Sequence, residues 1–177
     1  MKRFFLLSLL SLFCVTNIMA QSRMEIGANF SPMGKEVITT NTSRLLYMVG
    51  VYGEYRWSLG RHFDAGARLD VQGGTVSSGS SIANPWAIST DLLAVADFNL
   101  FPGKTVNPYL GIGVGPGFGM HNNTTLDNLW AGSFLAMADA RLGLELFQHL
   151  RVAVDVKTPV FGNPRFTYLC INVGWVF

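Results

Sequence analysis

Apolar residues recur at every second position along most of this sequence, and this alternation constrains the fold more than any other feature. The C-terminal residues show it clearly, with apolar side chains at Leu169, Ile171, Val173, Trp175 and Phe177. A period of two is that of a β-strand, because successive side chains of a strand point to opposite faces. The sequence therefore predicts a chain built mainly of strands.

Eight alternating runs, separated by turn residues, predict eight strands. Their expected bounds are 23–31, 44–57, 62–72, 87–100, 107–118, 130–146, 150–158 and 165–177. The connections at one end are long ("PMGKEVITTNTS", "GGTVSSGSSIANPW", "GMHNNTTLDNL", "PVFGNP"), and those at the other end are short ("SLGR", "FPGKTVN", "FQH"). This asymmetry is typical of an antiparallel up-and-down transmembrane barrel of the outer membrane, with its long loops outside the cell. An even strand number then predicts that both termini are periplasmic.

Charged residues within the runs fall on the parity opposite to the apolar one. In the third run, Arg68 and Asp70 alternate with Ala67, Leu69 and Val71. Strands of about ten residues or more suit a tilted bilayer crossing better than a globular sheet. The alternation predicts apolar side chains toward lipid and charged side chains in the barrel interior.

Aromatic residues of the apolar parity cluster toward the strand ends, whereas Ala, Val, Leu and Ile fill the middle. The residues expected near the long loops are Phe30, Tyr47, Phe118 and Phe134, and those expected near the short turns are Trp57, Phe63, Phe98 and Trp175. Two such girdles mark the interfaces of a membrane barrel. The alternative fold is a secreted soluble barrel such as a lipocalin, which would turn its apolar residues inward.

The N-terminal segment predicts a cleavable signal peptide over residues 1–20, which leaves 21–177 as the barrel domain. Lys2 and Arg3 precede an apolar segment, and the small residue Ala20 lies at the expected cleavage site. The alternative, a retained membrane anchor, would need a longer apolar segment. Loss of Lys2 and Arg3 leaves equal numbers of basic and acidic residues, so net charge gives no support for nucleic-acid binding.

The short turn Phe147–His149 predicts the register of the sixth and seventh strands. If Leu146 lies opposite Leu150, the outward pairs are Leu144 with Val152, Leu142 with Val154 and Ala140 with Val156. The same register predicts three interior ion pairs, which are Glu145 with Arg151, Arg141 with Asp155 and Asp139 with Lys157. Directly opposed Cβ atoms lie about 4.5–5.5 Å apart, so ion pairs fit this geometry. The alternative is that interior water solvates each charge separately.

Glycines 111, 113, 115 and 117 share the inward parity of the fifth strand. The interior of an eight-stranded barrel is just wide enough for side chains, so these glycines are expected to leave room for long charged residues of other strands.

No catalytic, cofactor-binding or metal-binding residues are predicted. The three histidines lie far apart in sequence, and only Cys170 remains once Cys14 leaves with the signal peptide. A barrel that modifies the acyl chains of lipopolysaccharide is an alternative, for which His121, Ser133 and Asp127 are the only grouped candidates.

Two segments resemble known outer-membrane barrels. A terminal phenylalanine after alternating apolar residues, here Leu169, Ile171, Val173, Trp175 and Phe177, resembles the assembly signal of such proteins. The segment "NPYLGIGVGPGFG" resembles a strand of the "outer membrane protein β-barrel" families, which include OmpA/OmpX-like barrels and are common in Bacteroidota. The resemblance implies an outer-membrane location and contact with lipid, lipopolysaccharide and the barrel-insertion machinery.

The function expected from these features is a small barrel without an open pore. It would have a structural role or bind an unidentified extracellular ligand through its long loops, because binding residues are often carried on loops of a rigid scaffold. The alternatives are a narrow, porin-like solute channel and the acyl-modifying enzyme.

Overall fold

The computed structural model describes residues 22–39, 42–77, 86–123, 129–161 and 165–177. Eight strands close into one antiparallel barrel, in which neighbours in sequence pair and β1 also pairs with β8. The strands are β1 (Ser22–Thr39), β2 (Thr42–Ser58), β3 (Phe63–Ser77), β4 (Trp86–Asn99), β5 (Val106–Asn123), β6 (Leu129–Leu146), β7 (Leu150–Phe161) and β8 (Arg165–Val176). The predicted eight-stranded up-and-down barrel is confirmed. None of the described residues forms a helix long and apolar enough to cross a membrane.

The two ends of the barrel differ in their connections. We call the end with residues 59–62, 100–105 and 147–149 the turn end, and it also carries Ser22 and Phe177. The opposite end is the loop end. The predicted strand bounds at the turn end are correct to within one or two residues. The predicted signal peptide, residues 1–20, lies outside the described residues, and the cellular side of each end stays a prediction.

At the loop end, the predicted starts of β2, β4, β6 and β8 are correct to within two residues, but the predicted ends of β1, β3, β5 and β7 are wrong, because these strands continue into the expected loops. β1 reaches Thr39 and β2 begins at Thr42, so most of the expected loop 32–43 is paired strand. β3, β5 and β7 likewise extend to Ser77, Asn123 and Phe161. Much of the sequence predicted to form long loops therefore forms strand that extends beyond the expected membrane-spanning part of the barrel.

A bulge in β1 explains the largest of these errors. Pro32 cannot donate a ladder hydrogen bond, which favoured a strand end at Ser31 in the sequence. The ladder with β2 shifts between Ser31 and Gly34, and the ladder with β8 shifts between Phe30 and Met33. The bulge accommodates the proline and pairing then resumes, as is common at such sites.

Burial alternates along the strands as the sequence predicts. Outward residues such as Val51, Leu69 and Ile112 are 62%, 49% and 64% exposed, whereas charged residues of the other parity are buried. The buried groups bond across the barrel, since Arg68 of β3 donates to Asn172 of β8 at 2.8 Å although these strands are not neighbours. The apolar side chains thus form the outer surface, which is the arrangement of a transmembrane barrel and the reverse of a lipocalin.

Aromatic contacts occur on the outer surface near both ends. At the turn end, the ring centroids of Phe63 and Phe98 are 4.9 Å apart, and those of His149 and Trp175 are 5.5 Å apart. Toward the loop end, Phe118 and Phe134 are cross-strand partners with ring centroids 5.3 Å apart. These positions agree with the aromatic residues expected at each interface.

Candidate functional site: the charged interior and its two ends

The barrel interior is filled with charged side chains. The buried cations are Arg56, Arg68, Arg141, Arg151 and Lys157, and the buried carboxylates are Glu25, Glu54, Asp64, Asp70, Asp91, Asp97, Asp139, Glu145 and Asp155. Burial of so many charges is costly unless each is paired or hydrogen-bonded. The contacts among these groups therefore determine what the interior can do.

The predicted register of β6 and β7 is correct. Leu146 pairs with Leu150, and the Cα partners include Glu145 with Arg151, Arg141 with Asp155 and Asp139 with Lys157. All six charged residues are buried. The outward pairs Leu144–Val152, Leu142–Val154 and Ala140–Val156 also occur as expected.

The predicted ion pairs are mostly wrong, because cross-strand neighbours are not the salt-bridge partners. Among the three, only Glu145 and Arg151 approach each other, with Oε2 and Nε 3.9 Å apart. The strong contacts instead cross the barrel, namely Arg141 Nη1 to Glu54 Oε2 at 2.7 Å, Lys157 Nζ to Asp70 Oδ2 at 2.9 Å and Arg68 Nη1 to Asp155 Oδ2 at 3.3 Å. Side chains stand roughly perpendicular to a sheet. A long arginine or lysine therefore extends past a short neighbouring aspartate toward the far wall.

Glu54 is the centre of this network. Its carboxylate lies 2.7 Å from Arg141, 3.3 Å from Arg56, 3.8 Å from Arg151 and 3.9 Å from Arg68. Two tyrosines support the arginines, since the guanidinium of Arg68 lies 4.0 Å over the ring of Tyr52 and that of Arg151 lies 3.6 Å over the ring of Tyr109. Such contacts favour a desolvated cation. The network ties β2, β3, β6 and β7 together across the interior.

The inward glycines make room for this network, as expected. A Cβ atom at Gly111 would contact both Asp97 and the stem of Arg141. At Gly113, a Cβ atom would lie 3.2 Å from the Cβ of Asp139. The absence of side chains at these two positions of β5 therefore lets the β6 charges extend inward.

Toward the loop end, the interior becomes apolar. A buried cluster consists of Leu46, Met48, Ala87, Leu93, Val95, Leu135, Met137, Tyr168 and Cys170. We call it the apolar plug. It lies between the charged network and the loop end, and it also surrounds Asp91, whose Oδ2 accepts a hydrogen bond from the Tyr168 hydroxyl at 2.8 Å. Packed side chains therefore fill this part of the interior in the path of a hydrated ion.

The turn end, by contrast, opens into a polar cavity of about 380 Å³. We call it the turn-end cavity. Its lining is mostly polar and comprises Ser22, Arg23, Ser58, Gly60, Arg61, Asp64, Asn99, Pro102, Gly103, Asn107, Glu145 and Gln148. A hydrogen-bond chain orders its wall, since Asn107 donates to Asn99 at 2.9 Å and Asn99 donates to Asp64 at 2.8 Å. The sequence does not predict this cavity, because its residues come from turns and strand ends that only barrel closure brings together.

At the loop end, β6 continues beyond its partner β7. The last pair between them is Ala136 with Phe161, whereas β6 pairs with β5 up to Leu129 with Asn123. Among the described residues, the segment 129–135 therefore has a strand partner on one side only. The backbone groups of such an edge can pair with another extended chain.

The described residues give little support for an enzyme that modifies the acyl chains of lipopolysaccharide. His121 and Ser133 lie on neighbouring strands, where His121 pairs with Ala131 and Ser133 pairs with Gly119. Asp127 lies outside the described residues. Within the described ranges, no group of three or more His, Cys, Asp or Glu side chains is arranged to hold a metal ion.

No family model matches the sequence. No curated protein matches it either. Solved structures do match the fold, and small outer-membrane barrels are among them. Ail, the attachment invasion locus protein of Yersinia pestis, has 12% identity and a TM-score of 0.58 over 88% of this chain and 97% of its own. Neisserial surface protein A has 13% identity and a TM-score of 0.58, and the match covers 88% of this chain and 97% of that protein's chain.

The outer membrane enzyme PagL also matches, with 14% identity and a TM-score of 0.54 over 85% of this chain and 97% of its own. The chain thus has the fold of small eight-stranded outer-membrane barrels. Because these neighbours include both an attachment invasion protein and an enzyme, the fold does not specify an activity. The resemblance to Bacteroidota barrels stays a prediction.

Proposed function

We propose that this chain is an outer-membrane protein that does not conduct solutes and that presents its loop-end strands as a binding surface outside the cell. The observation that carries the proposal is the filled interior, in which a charged network is followed by the apolar plug. The apolar outer face supports insertion in a bilayer, and the outer-membrane origin of the similar structures supports the location. In this orientation both termini are periplasmic.

Single-channel recording of the refolded protein in planar bilayers tests the sealed interior. We expect no conductance steps from the wild-type protein. A matched variant, Leu93→Gly with Met137→Gly, removes two large side chains from the plug and serves as a barrel with a widened loop end. Regular conductance steps from the wild type would favour the narrow channel instead.

The loop-end surface is the proposed binding site, and the free edge of β6 is its most specific feature. An extended peptide can add a strand to such an edge, with backbone hydrogen bonds supplying affinity and alternate side chains supplying specificity. Phe134 lies on this segment and its side chain is 82% exposed. A structure of Ail contains the heparin analogue sucrose octasulfate. That complex shows that a barrel of this fold can bind a ligand, but at 11% identity it does not indicate that this chain binds the same ligand.

Selection of a random heptapeptide library against the nanodisc-embedded protein tests strand addition. We expect selected peptides to shift backbone amide resonances of residues 129–135, and Phe134→Pro to abolish their binding. Proline is chosen because it removes a backbone donor. Amide shifts confined to other loops, or equal binding to the proline variant, would exclude the β6 edge.

We also propose that Leu169, Ile171, Val173, Trp175 and Phe177 form an assembly signal for the insertion machinery, after removal of a signal peptide over residues 1–20. Phe177 is 70% exposed, while its backbone amide donates to the Met24 carbonyl at 2.8 Å. Its side chain is therefore available for recognition although its backbone is paired. Phe177→Asp should slow insertion in cells and leave refolding into detergent nearly unchanged, and equal loss in both assays would indicate a structural role only.

A further inference from the structure

Buried acidic side chains outnumber buried basic ones in the barrel. Among the described residues, nine buried carboxylates face five buried arginine and lysine side chains. Arg23 at the turn end adds one further cation, which lies 2.9 Å from Glu145. Near the turn-end cavity, Glu25, Glu54, Asp97 and Glu145 all form salt bridges with arginine side chains. Asp64 is the carboxylate of the cavity lining that forms no salt bridge with a described cation. A cleft with low-dielectric walls focuses the field of such a charge, so the cavity is expected to attract a positively charged group.

Asp64 is the carboxylate best placed to receive that group. It lines the cavity, is 7% exposed, and accepts hydrogen bonds from Ser58 at 2.7 Å and Asn99 at 2.8 Å. Both donors are neutral, and none of the described cationic side chains forms a salt bridge with Asp64. Its negative charge is thus held in place by hydrogen bonds but is not compensated.

Arg61 supplies an opposite charge on the same cavity. Its side chain is exposed, and the described carboxylates form no salt bridge with it. The other two charged residues of the lining, Arg23 and Glu145, already pair with each other. The cavity therefore carries one uncompensated carboxylate and one uncompensated guanidinium.

We propose that the turn-end cavity binds a small zwitterion, a free amino acid or a short peptide, with its ammonium group against Asp64 and its carboxylate against Arg61. The volume of about 380 Å³ lies within the range of small-molecule pockets. A guanidinium binds a carboxylate through two parallel hydrogen bonds, which gives the ligand a defined direction in the cavity.

The lining fits a zwitterion better than a metal ion or a sugar. Oδ1 of Asn99 already accepts from Asn107, and Oδ1 of Asn107 already accepts from the amide of Phe101 at 2.9 Å, so the two amides offer few free oxygens to a cation. None of the described residues that line the cavity has an aromatic ring on which a sugar could stack.

Chemical-shift titration of the nanodisc-embedded barrel tests the proposal with glycine, glycylglycine, ethylamine and acetate as probes. Glycine or glycylglycine should shift amides at residues 58–64 and 99–107, at concentrations at least tenfold lower than ethylamine or acetate. Binding of glycine would show that the cavity accepts a free amino acid. Binding of glycylglycine but not of glycine would show that it requires a peptide. Equal binding of ethylamine, or no shift with either zwitterion, would overturn the proposal.

Two substitutions locate the site. Asp64→Asn and Arg61→Gln should each weaken zwitterion binding at least tenfold, whereas Lys104→Gln should leave it unchanged, because Lys104 is an exposed turn residue outside the lining. Because Arg61 is exposed, Arg61→Gln is expected to fold, and it therefore tests the site even if Asp64→Asn does not fold. Wild-type affinity in the Arg61→Gln variant would overturn the assignment of the carboxylate.

Discussion

The turn between β6 and β7 contains two residues in an unfavourable backbone conformation. Phe147 and Gln148 have φ angles of 54° and 63°, and the His149 amide donates to the Leu146 carbonyl at 3.1 Å. Residues other than glycine pay about 1–2 kcal/mol in this region. Gln148→Gly should therefore raise the free energy of unfolding by up to about 1 kcal/mol, as measured by urea unfolding in lipid vesicles.

Gly103 provides the matched control, because it is a turn glycine that already has a positive φ of 78°. Gly103→Ala should lower the free energy of unfolding by about 1 kcal/mol. A loss of stability in Gln148→Gly would show that the side chain of Gln148, which donates to Gly103 O at 3.3 Å, outweighs the backbone strain. A three-residue hairpin turn usually has glycine at its last position, which is residue 149 here, whereas the left-handed residues of this turn are 147 and 148.

Outward and inward positions of one strand should respond differently to the same substitution. Ile112 is 64% exposed to the lipid side, so Ile112→Arg should cost about 2–4 kcal/mol because it places a charge in the bilayer. Gly113→Arg should fail through crowding against Asp139. Asp139→Gly removes both the Cβ and the carboxylate that a side chain at residue 113 would meet, so it should partly rescue Gly113→Arg and leave Ile112→Arg unchanged. Rescue of both, measured by folding yield in vesicles, would contradict the assigned faces.

At the scale of strands, Arg141 of β6 forms its shortest salt bridge with Glu54 of β2, on the opposite side of the barrel. Removing one partner of a buried ion pair is expected to cost about 3–5 kcal/mol, since it leaves the other charge uncompensated. Arg141→Ala should therefore destabilise the barrel more than Arg141→Ala combined with Glu54→Ala. The coupling energy from this double-mutant cycle should exceed that of Arg141 with Asp155, its cross-strand neighbour. A larger coupling to Asp155 would restore the partner predicted from sequence.

The strands show which features the sequence could predict. Strand number, faces and the β6–β7 register follow from local alternation and one short turn, because a shift by one residue would turn charges toward lipid. The partners of Arg141, Asp155 and Lys157 depend on how distant strands are staggered around the closed barrel, which no local pattern records. Pro32 misled the prediction for a similar reason, since a bulge and a strand end have the same local sequence signal.

At the scale of the whole molecule, closure depends on the seam where β1 meets β8. Gly27 and Gly174 pair across this seam, and Tyr52 of β2 packs over both of them. The Tyr52 hydroxyl donates to Glu25 Oε1 at 2.5 Å, which fixes the ring over the two glycines. A side chain at Gly174 would occupy the space of Tyr52 and Glu25.

Gly174→Leu should therefore prevent closure of the barrel. Because the pairing of β1 with β8 leaves no unpaired edge along the seam, the closed barrel resists unfolding by detergent, and an open one does not. The expected result is loss of the fast-migrating, heat-modifiable species on gels run without boiling. Val173→Leu, one residue away on the outer face and 47% exposed in the wild type, should keep that species. Tyr52→Ala should empty the space over the two glycines and so partly restore closure to the Gly174→Leu protein. If the Gly174→Leu protein migrates like the wild type, the seam tolerates a side chain at residue 174.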